Sequence, residues 1–228
     1  KTANVTFINL NDVEALKAEL STNEYAAVII EPIQGVGGIR MASDEFLSAA
    51  RELCDKTGTM LIMDEVQSGF GRSGKFFAHQ WSGVKADIVS MAKGIANGFP
   101  VGAIIVSPKI PAKSGMLGTT FGGSHLACAA AIAVADVIKA ENLVENARVM
   151  GEKIVEAIKG TSGITDIRGR GLMIGIDLSV PQADFRKVLR EKHHIMTGLT
   201  GKYTLRLLPP LIIGDKEVER FVEAFRAT

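Results

Sequence analysis

Two apolar runs, Thr59-Met60-Leu61-Ile62-Met63 and Ile88-Val89-Ser90-Met91-Ala92, constrain this chain more than any other feature of it. Each is short and continuous, the pattern of a strand buried on both faces. The connection between them is long enough to return the chain parallel, so both strands end at the same edge of a sheet. The first run delivers Asp64 to that edge and the second delivers Lys93. Open α/β sheets bind ligands at the carboxyl ends of their strands. A lysine at the mouth of an apolar strand can lose its proton at neutral pH and attack a carbonyl, and an aspartate nearby can hold a proton on a heteroaromatic ring. The pair suggests a pyridoxal phosphate site, although a nucleotide or a metal would use the same edge.

The remaining patterning gives the fold class. Asn11 to Leu20 has helical spacing, Ala26 to Ile30 is a continuous apolar run, and Ser43 to Thr57 places Phe46, Leu47, Ala50 and Leu53 on one helical face. Gly102 to Val106 adds a strand, and Leu126 to Lys139 an alanine-rich helix suited to close packing at an interface. The expected fold is α/β, a mostly parallel sheet with helices on both faces. After residue 140 the texture changes to a helix from Asn142 to Lys159, alternating runs at Ile164–Ile167 and Leu172–Ile176, a helix from Gln182 to Lys192, a strand from Thr204 to Leu208 and an amphipathic helix from Asp215. Residues 1–140 are expected to form a large unit and 141–228 a smaller α+β unit.

Composition removes several classes of function. With 228 residues, 46% of them hydrophobic, and a formal net charge of +1, the chain can bury a sizeable core and has no bias towards nucleic acid or an anionic membrane. The apolar stretch from Leu126 is interrupted at Asp136, far short of the roughly 20 residues that cross a bilayer. Cys54 and Cys128 form neither a CxxC pair nor a metal-ligand cluster, which fits a reducing, cytoplasmic compartment and no metal site. The chain starts at Lys1 without a signal sequence, as an internal fragment of a longer protein would.

One motif imitates a different chemistry. Gly69-Phe70-Gly71-Arg72-Ser73-Gly74-Lys75 has the GxxxxGK spacing of a phosphate-binding loop and follows a strand. Phe76 stands where a Ser or Thr hydroxyl must hold Mg²⁺, and Asp64-Glu65 would set two carboxylates beside the incoming phosphates. The segment therefore reads as a glycine-rich surface turn.

Five blocks in order carry a family resemblance: Glu31-Pro32-Ile33-Gln34-Gly35; Asp64 through Gly74; Lys93-Gly94 with Gly98-Phe99-Pro100-Val101-Gly102; Thr119-Thr120-Phe121-Gly122-Gly123; and Leu205-Arg206-Leu207-Leu208-Pro209-Pro210. Together they resemble class III aminotransferases, and within them the acetylornithine/ornithine aminotransferase branch. The resemblance implies the C-terminal part of a pyridoxal phosphate-dependent transferase-like large domain, in residues 1–140, followed by the C-terminal small domain. It also implies that a phosphate-binding segment lies upstream.

Roles follow from the same resemblance. Lys93 is similar to the lysine that holds pyridoxal phosphate and then shuttles a proton between substrate and cofactor. Asp64 resembles the aspartate paired with the pyridine nitrogen, Val66 the residue packed on the ring, and Gln67 a hydrogen-bond donor near its phenolic oxygen. Glu65 is grouped with these cofactor-binding residues, although alternation along a strand turns it away and gives it a supporting position. Thr120 resembles a threonine that reaches the cofactor phosphate of the neighbouring subunit, which implies a homodimer. Thr119 and Arg206 occupy substrate-binding positions, the arginine suited to a carboxylate. The implied reaction transfers the ω-amino group of an N-acylated ornithine to 2-oxoglutarate, in arginine biosynthesis. Ornithine, GABA or lysine as donor, or a fragment inactive on its own, are the alternatives. One position departs from the pattern: ornithine- and GABA-type relatives usually carry after Gln-Gly a glutamate that neutralises the substrate-binding arginine, and here that residue is Val36.

Overall fold

The computed structural model describes residues 4–228. The chain forms α1 (Val13–Leu20), β1 (Ala27–Ile30), a small hairpin of β2 (Ile33–Gln34) and β3 (Arg40–Met41), α2 (Asp44–Thr57), β4 (Met60–Asp64), β5 (Ile88–Met91) and β6 (Ala103–Val106). Side chains set the helix ends. Asp12 accepts from the Ala15 N–H at 2.9 Å and Ser43 from the Phe46 N–H at 3.1 Å, each satisfying a donor that the helix leaves unpaired. Gly58, at φ 72°, closes α2 in the left-handed conformation that a Cβ disfavours. Leu16, Leu20, Phe46, Leu47 and Ala50 then pack on Leu61 and Met63 of β4. Each large side chain so buried contributes about 1.5–3 kcal/mol.

The first sheet has the order β1-β4-β5-β6, with β1, β4 and β5 parallel and β6 antiparallel at the edge. Asp64 pairs with Ser90, and the Glu65 N–H continues the ladder to the Ser90 carbonyl at 3.0 Å. Asp64 thus leaves the sheet level with the end of β5, where Lys93 follows. The outer strands leave Ile29, Ile104 and Ile105 exposed.

The second half comprises α3 (His125–Ala140), α4 (Leu143–Ile158), β7 (Ile164–Arg170), β8 (Met173–Leu178), α5 (Gln182–His193), β9 (Gly198–Thr200), β10 (Thr204–Leu207) and α6 (Asp215–Arg226). Its four strands form a separate antiparallel sheet, β7-β8-β10-β9. Met150, Ile154 and Ile158 of α4 and Val218, Val222 and Phe225 of α6 cover that sheet through Ile174, Ile176, Leu205 and Leu207. The hairpin β2–β3 and strand β9 escape sequence patterning because two or three residues carry no readable period.

At the end of the first sheet remote from Lys93, buried Asp87 joins four elements. Its carboxylate accepts from the Leu61 N–H at 2.9 Å and from Arg51 Nη1 at 2.8 Å, with Lys109 Nζ at 3.5 Å, and the Ser107 N–H donates to its carbonyl at 2.8 Å. Burial alone would raise this carboxyl's pKa, but the Leu61 N–H and Arg51 outweigh burial and hold it below its usual 3.8. Asp87→Ala leaves Arg51 without a buried partner and is expected to cost about 3 kcal/mol in chemical denaturation. Since the folded-state pKa is depressed, this contribution is complete above the unfolded value of about 4 and disappears as pH falls through the folded value. The stability gap between wild type and variant should therefore close in acid.

Candidate active site

Lys93 opens a 3-10 turn, Lys93–Ala96, at a φ of 50°. A left-handed conformation at a residue with a Cβ costs on the order of 1–3 kcal/mol and persists only where the surroundings impose it. Here Ile95 and Ala96 are buried in the cluster that includes Ile138 and Val134 of α3. The turn sets exposed Lys93 beside a cavity of about 510 Å³, lined also by Val66, Gln67, Phe70, Arg72 and Asn97 and backed by apolar residues of α3 and of the segment 208–212. Lys93, Val66 and Gln67, assigned to one site from sequence, thus share one cavity.

Asp64 lies next to it but opens elsewhere. One carboxylate oxygen accepts from the Val66 N–H at 3.0 Å, and the residue borders a groove with Glu31, Gln34 and Phe7 on the β1 side. Its other oxygen has no hydrogen-bond partner among the described residues.

Glu65 corrects its grouping with the cofactor-binding residues. Its buried carboxylate accepts from Ser68 Oγ at 2.6 Å, the Ala78 N–H at 3.0 Å and the His79 N–H at 2.8 Å, and lies 2.8 Å from His79 Nδ1. Both oxygens are occupied within the chain, so the role of Glu65 is to close the loop 65–79 at its neck. Burial pushes its pKa up, but the bonds from His79, Ser68 and Ala78 outweigh burial and leave it below the ordinary 4.5. His79 was not legible as a partner, since its only sequence signal is a lone histidine beside two phenylalanines.

Gly35 links this loop to the second sheet. A Cβ on Gly35 would stand 2.2 Å from Gln67 Oε1, so the Gln67 amide lies directly on the glycine backbone. The Gly35 N–H donates to Glu31 at 3.1 Å, and its carbonyl accepts from Arg206 Nη1 at 2.8 Å. Arg206 Nε donates to the Leu199 carbonyl at 3.0 Å. Among the described residues Arg206 meets no carboxylate, so two carbonyls fix its guanidinium while its charge stays uncompensated. Around it Arg168 donates to the Gly38 carbonyl at 2.8 Å and Thr200 to that of Val36, whose side chain is 70% exposed. Thr119 and Thr120 are exposed in the segment before α3 and line neither the Lys93 cavity nor the Asp64 groove.

The glycine-rich segment 69–75 is not the surface turn expected of it. Gly69, Phe70, Gly71, Ser73 and Gly74 are buried, and the Phe70 and Phe76 rings pack at 5.0 Å. The turn is wedged against α4 and the β7–β8 connection: a Cβ on Gly74 would lie 2.9 Å from Arg148 Cβ, and one on Gly171 would lie 2.5 Å from the Ser73 carbonyl carbon. Arg72 donates to the carbonyls of Leu172, at 3.4 Å, and Pro209. Burial pushes its pKa down to about 10, so it is still a cation at neutral pH. No metal-binding group of His, Cys, Asp and Glu occurs among the described residues, and no helix among them is long and apolar enough to cross a membrane.

An open α/β sheet delivering a carboxylate and a lysine to one edge, followed by a separate antiparallel unit, is the architecture of the C-terminal part of a pyridoxal phosphate-dependent transferase-like fold. Residues 3–228 match the family described as Aminotransferase class-III, and the chain belongs to it. It is 41% identical over 220 residues to the acetylornithine aminotransferase of Methanosarcina mazei, covering 96% of this chain and 55% of that protein. To the acetylornithine aminotransferase of Corynebacterium efficiens it is 42% identical over 227 residues, covering 98% and 56%. The chain therefore spans little more than half the length of the curated relatives it matches. Among solved structures, Plasmodium falciparum ornithine delta-aminotransferase superposes with a TM-score of 0.91 at 30% identity, covering 100% of this chain and 61% of that one. Acetylornithine aminotransferase from Elizabethkingia anophelis gives 0.89 at 34% identity, covering 99% and 62%. Class III aminotransferases depend on pyridoxal phosphate, and the residue types present suit it: an amine at Lys93 with Val66 and Gln67 in one cavity, and a carboxylate with a free oxygen at Asp64 in the adjoining groove.

If Glu65 holds the loop neck, both Glu65→Ala and Glu65→Gln should destabilise the fold, by about 2–3 kcal/mol. Alanine removes every acceptor, and glutamine turns an NH₂ group towards the donors that now meet a carboxylate. Thermal unfolding of the two variants checks this.

Proposed function

We propose that the complete protein is an aminotransferase that moves the ω-amino group of an N-acylated ornithine to 2-oxoglutarate in two half-reactions, serving arginine biosynthesis. The observation that supports this reading is the chain of contact that runs from the Lys93 cavity through Gln67 and Gly35 to Arg206, linking an amine to an uncompensated guanidinium. We place the cofactor-binding part in residues 1–140 and the small domain in 141–228, and the working enzyme as a cytoplasmic homodimer in which Thr120 reaches the neighbouring subunit's cofactor phosphate.

When bound, pyridoxal phosphate supplies a reactive aldehyde and an electron sink. Lys93 would hold it, and the Lys93 amine would move the proton at the substrate carbon that bears the amine. Asp64 keeps a proton on the pyridine nitrogen through its free oxygen, which favours the electron-withdrawing form of the ring. Val66 would pack on the ring, Gln67 would donate near its phenolic oxygen, and Thr119 would contact substrate. Arg206 takes a substrate carboxylate in a fork already oriented by two carbonyls.

Val36 leaves the choice of donor open. Without a carboxylate at that position, Arg206 is available to a carboxylate in both half-reactions, and ornithine, GABA or lysine remain the rival donors.

Borohydride reduction of the holoenzyme should leave a pyridoxyl group on the peptide containing Lys93, and Lys93→Ala should lose both this adduct and turnover; an adduct on another lysine refutes the assignment. Acetylornithine followed by 2-oxoglutarate should cycle the cofactor absorbance, and cycling by GABA alone would overturn the donor assignment. Val36→Glu should raise the KM for 2-oxoglutarate about tenfold, equivalent to about 1.4 kcal/mol, by giving Arg206 an internal competitor.

A further inference from the structure

Arg72 is the one part of the site that neither its sequence context nor the proposed chemistry explains. It is a half-buried cation that meets carbonyls and, among the described residues, no acid. A charge placed this way is costly unless its position matters, because carbonyl dipoles compensate it less than a carboxylate would. The two carbonyls are a matched pair. Strands β8 and β10 are antiparallel with Leu207 opposite Ile174, and the same register carried outward sets Pro209 level with Leu172. One guanidinium therefore closes the end of the ribbon that carries Arg206. The Leu172 N–H also donates to the Arg72 carbonyl at 3.0 Å, so main chain and side chain hold the same residue. The glycine-only contact between Gly171 and Ser73–Gly74 leaves this junction no slack. On its other side Arg72 belongs to the loop closed by Glu65 and lines the Lys93 cavity with Gln67.

We infer that Arg72 is a positioning residue that holds the ribbon carrying Arg206 and thereby keeps the Arg206 guanidinium in place for a substrate carboxylate. The inference rests on the reading of Arg206 as the carboxylate clamp. A guanidinium can bridge two carbonyls in a fixed fork, whereas an ammonium has no such plane. Arg72→Lys keeps the charge and loses the bridge, and Arg72→Gln keeps one N–H donor and loses the charge.

The test uses the full-length holoenzyme. In Arg72→Lys the affinity for glutarate, an unreactive dicarboxylate, should fall at least tenfold by calorimetry. The KM for 2-oxoglutarate should rise at least tenfold while kcat falls less than threefold. Arg72→Gln should do the same, so failure of one variant to fold leaves the other decisive. An unchanged glutarate affinity, or a KM for 2-oxoglutarate that stays as in the wild type, overturns the inference. Arg206→Met serves as the reference. If it binds glutarate normally, the clamp reading itself is wrong; if it loses glutarate while both Arg72 variants keep it, only the positioning role fails.

Discussion

The buried carboxylate of Glu65 is the constraint on which the site depends. Four polar groups converge on its two oxygens, two from backbone N–H groups and two from side chains, and they come from both ends of the loop 65–79. Closing such a loop without regular secondary structure requires its ends to be fixed, and a charged acceptor in a low-dielectric interior does this more strongly than a neutral one. The consequences run outward in both directions. Asp64, one residue before, keeps its place at the sheet edge, and Val66, Gln67, Phe70 and Arg72 project from a loop that cannot slide.

The second sheet is fastened to the first by cations that bind carbonyls. Arg72, Arg168 and Arg206 reach across to, or from, main-chain oxygens at Leu172, Pro209, Gly38 and Gly35. Only Arg168 has acids as well, in Asp166 and Asp177. The arrangement orients Arg206 without neutralising it. A guanidinium already salt-bridged would have to exchange one carboxylate for another to bind substrate, and the exchange would return little free energy.

Much of the fold was legible because its signals are local. The apolar runs became β4 and β5 at the expected edge, and Ser43 capped α2 as its position before an apolar face suggests. The site was legible in part. Lys93, Val66 and Gln67 meet, whereas Glu65 turned inward to four internal donors. The segment 69–75 shows why the rest was hidden. Glycine reports that the backbone is crowded or turned, not whether protein or water does the crowding, and the partners here, Arg148 and Gly171, lie far away in sequence. Arg72 and His79 likewise acquire meaning only from residues that the fold brings to them.

The hairpin between β2 and β3 meets the second sheet through its carbonyls, at Gly35, Val36 and Gly38, while the Val36 side chain points to solvent. Docking and recognition are thereby separated at one tip. A change of side chain at position 36 leaves the carbonyl contacts of the hairpin with Thr200, Arg168 and Arg206 in place, yet it alters the charge close to Arg206. Single substitutions there can change the local charge while the contacts that fold the chain stay as they are, so surface chemistry and stability can vary independently at this tip.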